Sequence, residues 1–251
     1  MNNGPDRPSL PGVTLVAVTS VALNATVRAL ESSMRQAKFA KVILLSNQAP
    51  HTADPAIEWR RIEHIGSRAD YSRFMLGELC QHVETDHALC VQWDGFVLNG
   101  DAWDGAFLDY DYIGAAWPHF TDKYNVGNGG FSLRSKRLLD ACARLPTTGE
   151  EAEDIVISRL FRLQLEAQAI RFAPEYIARR FSYERTPSTG QEFGFHGAFN
   201  LVEHVSAREA LELFRSLEPN MLAKNERTEL LRWALVRGRV GLAITLLARL
   251  V

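Results

Sequence analysis

Asp94 and His196 are the residues whose type and local sequence best suit metal binding. Asp94 follows the short apolar run Ala88–Val91 and precedes Gly95. Such a run is typical of a strand buried on both faces of a mostly parallel sheet, whose carboxyl end is where these sheets bind ligands. His196 has a glycine close by on each side. One carboxylate, one imidazole and two phosphate oxygens suit Mn²⁺ or Mg²⁺, so we predict a metal site that holds a diphosphate.

Both residues also have a purely structural explanation. Asp94 could simply open a turn after its strand. His196 lies in an aromatic run, where a histidine is often a packed core or capping residue. The metal prediction therefore depends on whether the fold brings these two residues together.

A glycine-rich segment, Gly127–Gly130, precedes the apolar strand pattern Phe131–Arg134. Glycine permits close approach of a ligand to the backbone or unusual dihedral angles. The segment lacks the lysine of a Walker loop and does not match GxGxxG after a strand. An ordinary β-turn is the alternative, but Asn128 adds a polar group that a plain turn does not need. We predict that Asn128, Gly129 and Gly130 contact a ligand.

Two adjacent carboxylates, Glu153 and Asp154, lie at the start of a long helix predicted from Glu151 to about Gln168. The helix dipole favours acidic residues in a first turn, which explains much of the pattern. Two neighbouring side chains cannot both face solvent in the same way, so one could point into a cleft as a general base. We favour Asp154 over Glu153 for this role.

A third group of polar residues follows the early strands, where a parallel fold binds nucleotides. Thr19 and Ser20 follow the first strand, and Arg68, Asp70 and Tyr71 follow a weaker strand at Ile57–Ile62. Asp70 could accept a hydrogen bond from a ribose or base, and Arg68 could contact a phosphate. The alternative is a capped helix with a solvated arginine.

Two aromatic residues between the strands, Trp117 and Tyr124, could line a pocket for a sugar or an acceptor. Aromatic faces suit the C–H surfaces of sugars, and core packing is an equally good explanation of both residues.

The elements that must position these residues begin in the order of an α/β fold. Val13–Thr19 and Lys41–Leu45 have the composition of buried strands, and the stretch between them has its apolar residues on one helical face. This β-α-β start argues for parallel strands with a right-handed crossover. We predict an α/β fold of Rossmann-like type, with a mostly parallel central sheet flanked by helices.

The chain divides into three parts by pattern. Residues 1–12 are polar and rich in proline and glycine, and we predict a disordered leader; residues 13–205 form the α/β domain. Residues 206–251 have a purely helical pattern and form a C-terminal helical extension. The apolar end, Val240–Val251, could pack internally, against a second copy or at a membrane surface.

Composition restricts the class of partner and the compartment. The 251 residues include 28 basic and 30 acidic side chains, for a formal net charge of −2, so nucleic acid is a poor default partner. The three cysteines form no CxxC motif, which indicates free thiols in a reducing compartment. We find neither a signal-peptide pattern nor an apolar run of about 20 residues. These features predict a cytoplasmic protein, with attachment to the inner face of the membrane as an option.

Six short motifs occur in an informative order: ADYSRF, VQWDGFVLN, YDYIGAAW, VGNGGFSLRS, EDIVI and FGFHG. Together they resemble a bacterial glycosyltransferase domain family of GT-A type, over roughly residues 13–200. The resemblance implies a nucleotide-sugar donor and transfer to an acceptor hydroxyl. It gives Asp94 the place of the last aspartate of the DxD metal motif, His196 that of a late metal ligand and Asp154 that of the acidic residue near the acceptor. The first DxD position is Gln92, which is not an acid.

We therefore predict a metal-dependent glycosyltransferase, a hexosyl- or pentosyltransferase, in bacterial surface polysaccharide synthesis. The donor would be a nucleotide-sugar, with a UDP-sugar favoured, and the acceptor a hydroxyl of a glycan or lipid-linked glycan. Asp154 as base slightly favours inversion. The predicted donor-binding residues are Thr19, Ser20, Arg68, Asp70, Tyr71, Gln92, Trp93, Asn128, Gly129 and Gly130, and the predicted acceptor-binding residues are Trp117 and Tyr124.

Two alternatives remain open. A sugar nucleotidyltransferase would need a glycine-rich, basic loop after the first strand, and Thr19–Asn24 contains no lysine, arginine or glycine. A catalytically degenerate binding or scaffold domain would explain Gln92 and the helical extension, and it would show no donor turnover even with metal.

Overall fold

The structure is a computed structural model that describes residues 7–146, 148–218, 221–222 and 224–248. Its strands are β1 (Ser9–Thr19), β2 (Lys38–Ser46), β3 (Ile57–Arg61), β4 (His87–Val91), β5 (Phe96–Val97), β6 (Tyr112–Ile113), β7 (Ala115–Ala116), β8 (Val126–Gly127), β9 (Phe131–Ser135), β10 (Ser182–Tyr183) and β11 (Gly194–Phe195). Its helices are α1 (Leu23–Gln36), α2 (Arg68–Gly77), α3 (Lys136–Cys142), α4 (Glu153–Ile155), α5 (Arg162–Ala167), α6 (Glu175–Phe181), α7 (Ala198–His204), α8 (Ala207–Ser216), α9 (Lys224–Val236) and α10 (Val240–Leu247).

The main sheet has six strands in the order β3-β2-β1-β4-β9-β6. Strands β3, β2, β1 and β4 run parallel, and β9 runs antiparallel to both β4 and β6. Side chains of β1 alternate between two apolar clusters. Leu15 and Ala17 pack on the side of α1, and Val16 and Val18 pack with residues of α2 and α3. The prediction of a mostly parallel α/β sheet flanked by helices is therefore confirmed.

The reversed direction of β9 determines which segments meet at one edge of the sheet. Val91 at the carboxyl end of β4 pairs with Ala17 of β1 and with Phe131 at the amino end of β9. The loops after β1 and β4 and the glycine-rich segment before β9 therefore lie together. This edge holds most of the residues that the sequence singled out.

A small three-stranded sheet, β10-β11-β5, joins this edge to the C-terminal helices. Its aromatic residues and Trp93 form one buried cluster with α7 to α10. Phe214 of α8 is 1% exposed, and its ring packs edge-on against Trp93 with centroids 6.2 Å apart. The C-terminal helices thus pack on the α/β core through residues next to Asp94. None of the described helices is both long and apolar enough to cross a bilayer.

We expect Phe214→Ala to lower the free energy of unfolding by about 3–5 kcal/mol, because a large buried side chain is lost and a cavity remains. Leu235→Ala is the control, since Leu235 is 61% exposed and should change stability by about 0.5 kcal/mol or less. Urea unfolding of both variants measures this. Equal free energies of unfolding for the two variants would contradict the packing of α8 on the core.

Two predictions about local structure are corrected. Residues 1–6 of the predicted leader lie outside the described residues, but β1 already begins at Ser9, because its early residues pair with Lys38 and Phe39 of β2. The predicted long helix is interrupted by a π-helical turn, Val156–Leu160. There the Phe161 amide donates to the Val156 carbonyl, which inserts one extra residue and leaves Leu160 58% exposed.

Candidate functional site

Asp94 and His196 meet at the sheet edge described above. His196 Nε2 lies 3.3 Å from Asp94 Oδ1. The Gly197 amide donates to the Asp94 carbonyl (3.1 Å), and the Gln92 amide donates to the Gly130 carbonyl (2.9 Å). The imidazole packs directly on Gly130, where a Cβ atom would lie 2.0 Å from Nε2. The fold thus brings together the two residues predicted to bind metal, more than 100 positions apart in the chain.

A third ionisable residue at this position, Glu184, was not predicted. Its Oε1 atom lies 3.4 Å from His196 Nδ1, so the imidazole stands between two carboxylates. Burial lowers the pKa of His196, but Asp94 and Glu184 outweigh this effect and hold the pKa well above its usual value. The signal in the sequence was weak, because Glu184 directly follows β10, a strand of only two residues.

The buried atoms of this group suit a divalent cation. Asp94 Oδ1 and both His196 ring nitrogens are buried, and no described residue makes a well-aligned hydrogen bond with them. Within the described residues, no cluster of three or more His, Cys, Asp or Glu could hold a metal ion. Mg²⁺ usually takes one or two protein ligands together with substrate phosphates and waters. The pair therefore fits a cation that is shared with a diphosphate.

Glu153 and Asp154, the predicted catalytic pair, contact the same glycine-rich segment. The Gly129 amide donates to Asp154 Oδ2 (3.1 Å). Glu153 is 4% exposed and turned inward, and Arg134 Nη2 donates to its Oε1 atom (3.0 Å). Burial and the nearby Glu153 carboxylate raise the pKa of Asp154 to about 6. Because Glu153 is engaged in a buried ion pair, Asp154 is the better candidate for a general base.

The Arg134–Glu153 ion pair lies directly beneath this segment, with side chains 0% and 6% exposed. Removing one partner leaves a buried charge uncompensated, so Arg134→Met should lower the free energy of unfolding by about 3–5 kcal/mol. The double variant Arg134→Met/Glu153→Leu should recover most of this loss. Urea unfolding of the single and double variants measures these free energies. Equal losses of stability in both variants would contradict the assignment of a buried ion pair.

Six predicted donor-binding residues line one cleft of about 410 Å³: Thr19, Ser20, Arg68, Tyr71, Gln92 and Trp93. Hydroxyl groups fix the loops around it, because Ser20 Oγ accepts from the Ile65 amide (2.9 Å) and Thr19 Oγ1 accepts from the Ala22 amide (3.1 Å). Glu218 and Met221, which follow α8, also line this cleft. Their contribution was not predicted, because nothing local in the helical pattern indicates where that segment packs.

Gln92 connects the cleft to the sheet. Its side-chain amide donates to the Tyr71 hydroxyl (2.9 Å), while its backbone amide is bonded to Gly130. Gln92 therefore ties the helix α2 to the strand end that carries Asp94.

Asp70 lies outside the lining of this cleft, in the first turn of helix α2, whose N-cap is Ser67. Ser67 Oγ donates to Asp70 Oδ2 (2.7 Å) and accepts from the Asp70 amide (3.1 Å), and Arg73 pairs with the same carboxylate. The helix cap of the alternative interpretation is therefore present, with Ser67 as the N-cap and Asp70 in the first turn of α2.

Asn128 shapes the glycine-rich turn from inside the protein. Its φ angle is 124°, and it is 2% exposed. Asn128 Oδ1 accepts from the amides of Gly130 (2.7 Å) and Phe131 (3.3 Å). The Asn128 Oδ1 atom is therefore used within the turn, and the two glycines that follow are buried against Glu153 and His196. The strained backbone is a feature that clusters at functional sites.

The two predicted acceptor-binding aromatics have structural partners. Trp117 is 5% exposed and its ring packs on Gly127, where a Cβ atom would lie 2.0 Å away. Tyr124 lies in a group with Arg159 and Arg162, whose guanidinium carbon is 5.1 Å from the ring centroid. Core packing therefore accounts for Trp117, and stacking with arginine accounts for Tyr124.

The solved structures that are similar to the chain include the following two. The apo-form glycosyltransferase GlyE of Streptococcus pneumoniae TIGR4 has 13% sequence identity and a TM-score of 0.46, with 76% of this chain and 54% of that chain covered. The chain thus spans about half the length of GlyE. The mannosyltransferase PcManGT of Pyrobaculum calidifontis, solved with GDP-Man and Mn²⁺, has 12% identity and a TM-score of 0.47, with 98% and 77% covered.

Sequence comparison gives a match to one family model. No curated protein matches the chain significantly. The family model of DUF5672, described as a protein of unknown function, matches residues 56–196, which include helix α2, Asp94, the glycine-rich segment, Asp154, Glu184 and His196. Since this match covers more than half of the 251 residues, the chain belongs to the DUF5672 family.

Proposed function

We propose that the protein is a glycosyltransferase that moves a sugar from a nucleotide-sugar donor to an acceptor hydroxyl. One observation carries this proposal: the glycine-rich segment contacts both halves of the predicted site. Gly130 lies against His196, and Gly129 lies against Glu153 and bonds to Asp154. His196, which suits a metal-bound diphosphate, and Asp154, which suits the removal of a proton from an acceptor, thus contact the same short stretch of backbone.

In the proposed complex, the nucleoside occupies the 410 Å³ cleft and the diphosphate extends towards Asp94 and His196. Mn²⁺ or Mg²⁺, held by Asp94 and His196, would stabilise negative charge on the departing diphosphate. Arg68, at the cleft, supplies a further positive charge for a phosphate.

Asp154 is the proposed general base. As a carboxylate it takes the proton of the acceptor hydroxyl while that oxygen attacks the anomeric carbon and the bond to the diphosphate breaks. A base that activates the acceptor directly favours inversion of the anomeric configuration. A UDP-sugar is the first donor to test, and a hydroxyl of a glycan or lipid-linked glycan is the proposed acceptor.

Thermal unfolding with UDP, GDP, CMP and ADP, each with Mn²⁺ and with EDTA, tests the proposal. A nucleotide at a hundred times its dissociation constant should stabilise the protein by about 2.7 kcal/mol. We expect one nucleotide to raise the melting temperature in Mn²⁺ and to lose most of this effect in EDTA. Asp94→Ala and His196→Ala should abolish the metal-dependent part of the rise in melting temperature.

A binding or scaffold domain without turnover is the second candidate, because Gln92 stands where an acid would strengthen a metal site. The side-chain amide of Gln92 bonds to Tyr71 (2.9 Å). If no nucleotide shifts the melting temperature with or without Mn²⁺, this second function is favoured over transfer.

A further inference from the structure

We infer that Glu184 is a positioning residue that orients the His196 imidazole for metal binding, and that Asn200 holds these two residues in place. The inference rests on the proposed function, because it assigns how that site keeps its ligand geometry. It concerns residues that neither the motifs nor the sequence pattern indicated.

The contacts of the imidazole have the arrangement of a carboxylate–histidine–metal group. Glu184 Oε1 is 3.4 Å from Nδ1 on one side, and Asp94 Oδ1 is 3.3 Å from Nε2 on the other. A metal-binding histidine commonly donates its second ring N–H to a carboxylate, which sets its tautomer and its orientation. In the proposed metal-bound state Nδ1–H would be directed at Glu184, so that the lone pair of Nε2 would face the same space as the Asp94 carboxylate.

The Asn200 side chain links the two chain segments that carry Glu184 and His196, just after β10 and β11. Its side-chain amide donates to the Glu184 carbonyl (2.9 Å) and to the His196 carbonyl (2.7 Å). The His196 amide also donates to the Tyr183 carbonyl (3.1 Å). Both donor positions of one NH₂ group are thus used to fix the spacing between β10 and β11 where these strands end.

The residues before Glu184 and His196 face the opposite way. Tyr183 and Phe195 are 5% and 0% exposed and belong to the aromatic cluster that packs on the C-terminal helices. Because side chains alternate along a strand, burial of these aromatic rings turns Glu184 and His196 towards the site. The packing of Tyr183 and Phe195 therefore fixes the backbone from which Glu184 and His196 project.

The test is Mn²⁺ affinity in the presence of the stabilising nucleotide, measured by electron paramagnetic resonance of free Mn²⁺. We expect Glu184→Ala to weaken Mn²⁺ binding by about 10- to 100-fold. Glu184→Gln keeps an acceptor for Nδ1–H and should therefore lose less Mn²⁺ affinity than Glu184→Ala. Asn200→Leu should also weaken binding, because the two carbonyl contacts are lost. Glu212→Gln is the control, since the Glu212 side chain is 60% exposed on α8.

The tautomer of His196 is a second readout that a purely structural role of Glu184 would not change. In ¹⁵N NMR with Mg²⁺ and nucleotide, the wild-type ring should carry its proton on Nδ1, and Glu184→Ala should lose this single state. Equal Mn²⁺ affinity of folded Glu184→Ala and wild-type protein would overturn the inference while the proposed function stands. Absence of Mn²⁺ binding to the wild-type protein with every nucleotide would overturn the metal-dependent function and the inference together.

Discussion

Asp154→Asn is expected to lower turnover by about 10²- to 10⁴-fold, the range that a positioned general base contributes. Asparagine has nearly the same shape and can still accept the hydrogen bond from the Gly129 amide (3.1 Å in the native protein). It cannot take a proton from the acceptor. Nucleotide binding should therefore stay within about twofold, because Asp154 lies outside the lining of the cleft proposed for the nucleoside. A donor-turnover assay and a nucleotide titration separate the two effects.

The raised pKa of Asp154 predicts how turnover depends on pH. Burial raises the pKa of Asp154 most, and the carboxylates of Glu153 and Glu184 raise it further. The Ile155 amide and Arg134 lower it, and the resulting pKa is about 6. The carboxylate is the active form of a base, so kcat/KM should fall as pH decreases below about 6 and level off above it. Asp154→Asn should abolish this acidic limb.

The control for Asp154 is Glu151→Gln, which removes an exposed carboxylate three residues earlier. It should leave turnover within about twofold of wild type. Full activity of Asp154→Asn would remove Asp154 from the mechanism, and Glu153, which is engaged with Arg134, would not be a ready substitute.

Gly130→Ala should reduce turnover by about 10²-fold and weaken metal-dependent nucleotide binding to a similar degree. A Cβ atom at this position would lie 2.0 Å from His196 Nε2, so the imidazole must move. The backbone cannot easily yield, because the Gly130 carbonyl accepts from the Gln92 amide and its own amide donates to Asn128. A displacement of about 1 Å at a reacting group is enough for a loss of this size.

Gly105→Ala is the matched control, since no atom lies within 4 Å of a Cβ added there. Overpacking at Gly130 should also lower the free energy of unfolding by roughly 1–3 kcal/mol, and nothing comparable is expected at Gly105. A folded Gly130→Ala protein with normal metal-dependent binding would show that His196 is not a ligand.

The sequence by itself determined the strands of the parallel half and the positions where they end. Val13–Thr19, Lys41–Leu45 and Ala88–Val91 are apolar runs of strand length, and each agrees with an observed strand to within a few residues. Local patterns of this kind are enough because burial on both faces of a sheet requires nearly continuous apolar residues. They also placed Thr19, Ser20, Gln92 and Trp93 at strand ends, where the cleft is found.

The capped helix and the π-helical turn show the limits of local pattern. On the sequence alone Asp70 could cap a helix or bind a ribose or base, and in the structure it contacts Ser67, which is the N-cap, and Arg73. The turn at Val156–Leu160 shifts the exposed face of the helix, and one extra residue in a turn leaves no local sequence signal.

Only the tertiary structure decided which residues meet at the site. The antiparallel pairing of β9 with β4 brings Gly130 against His196, and β10, β11 and β5 place Glu184 beside the same imidazole. The inward turn of Glu153 depends on Arg134, a buried partner 19 residues away. These contacts join segments far apart in the chain, and their free energy depends on distance and burial in the folded state. No spacing or periodicity along the sequence can encode which of several carboxylates will face one histidine.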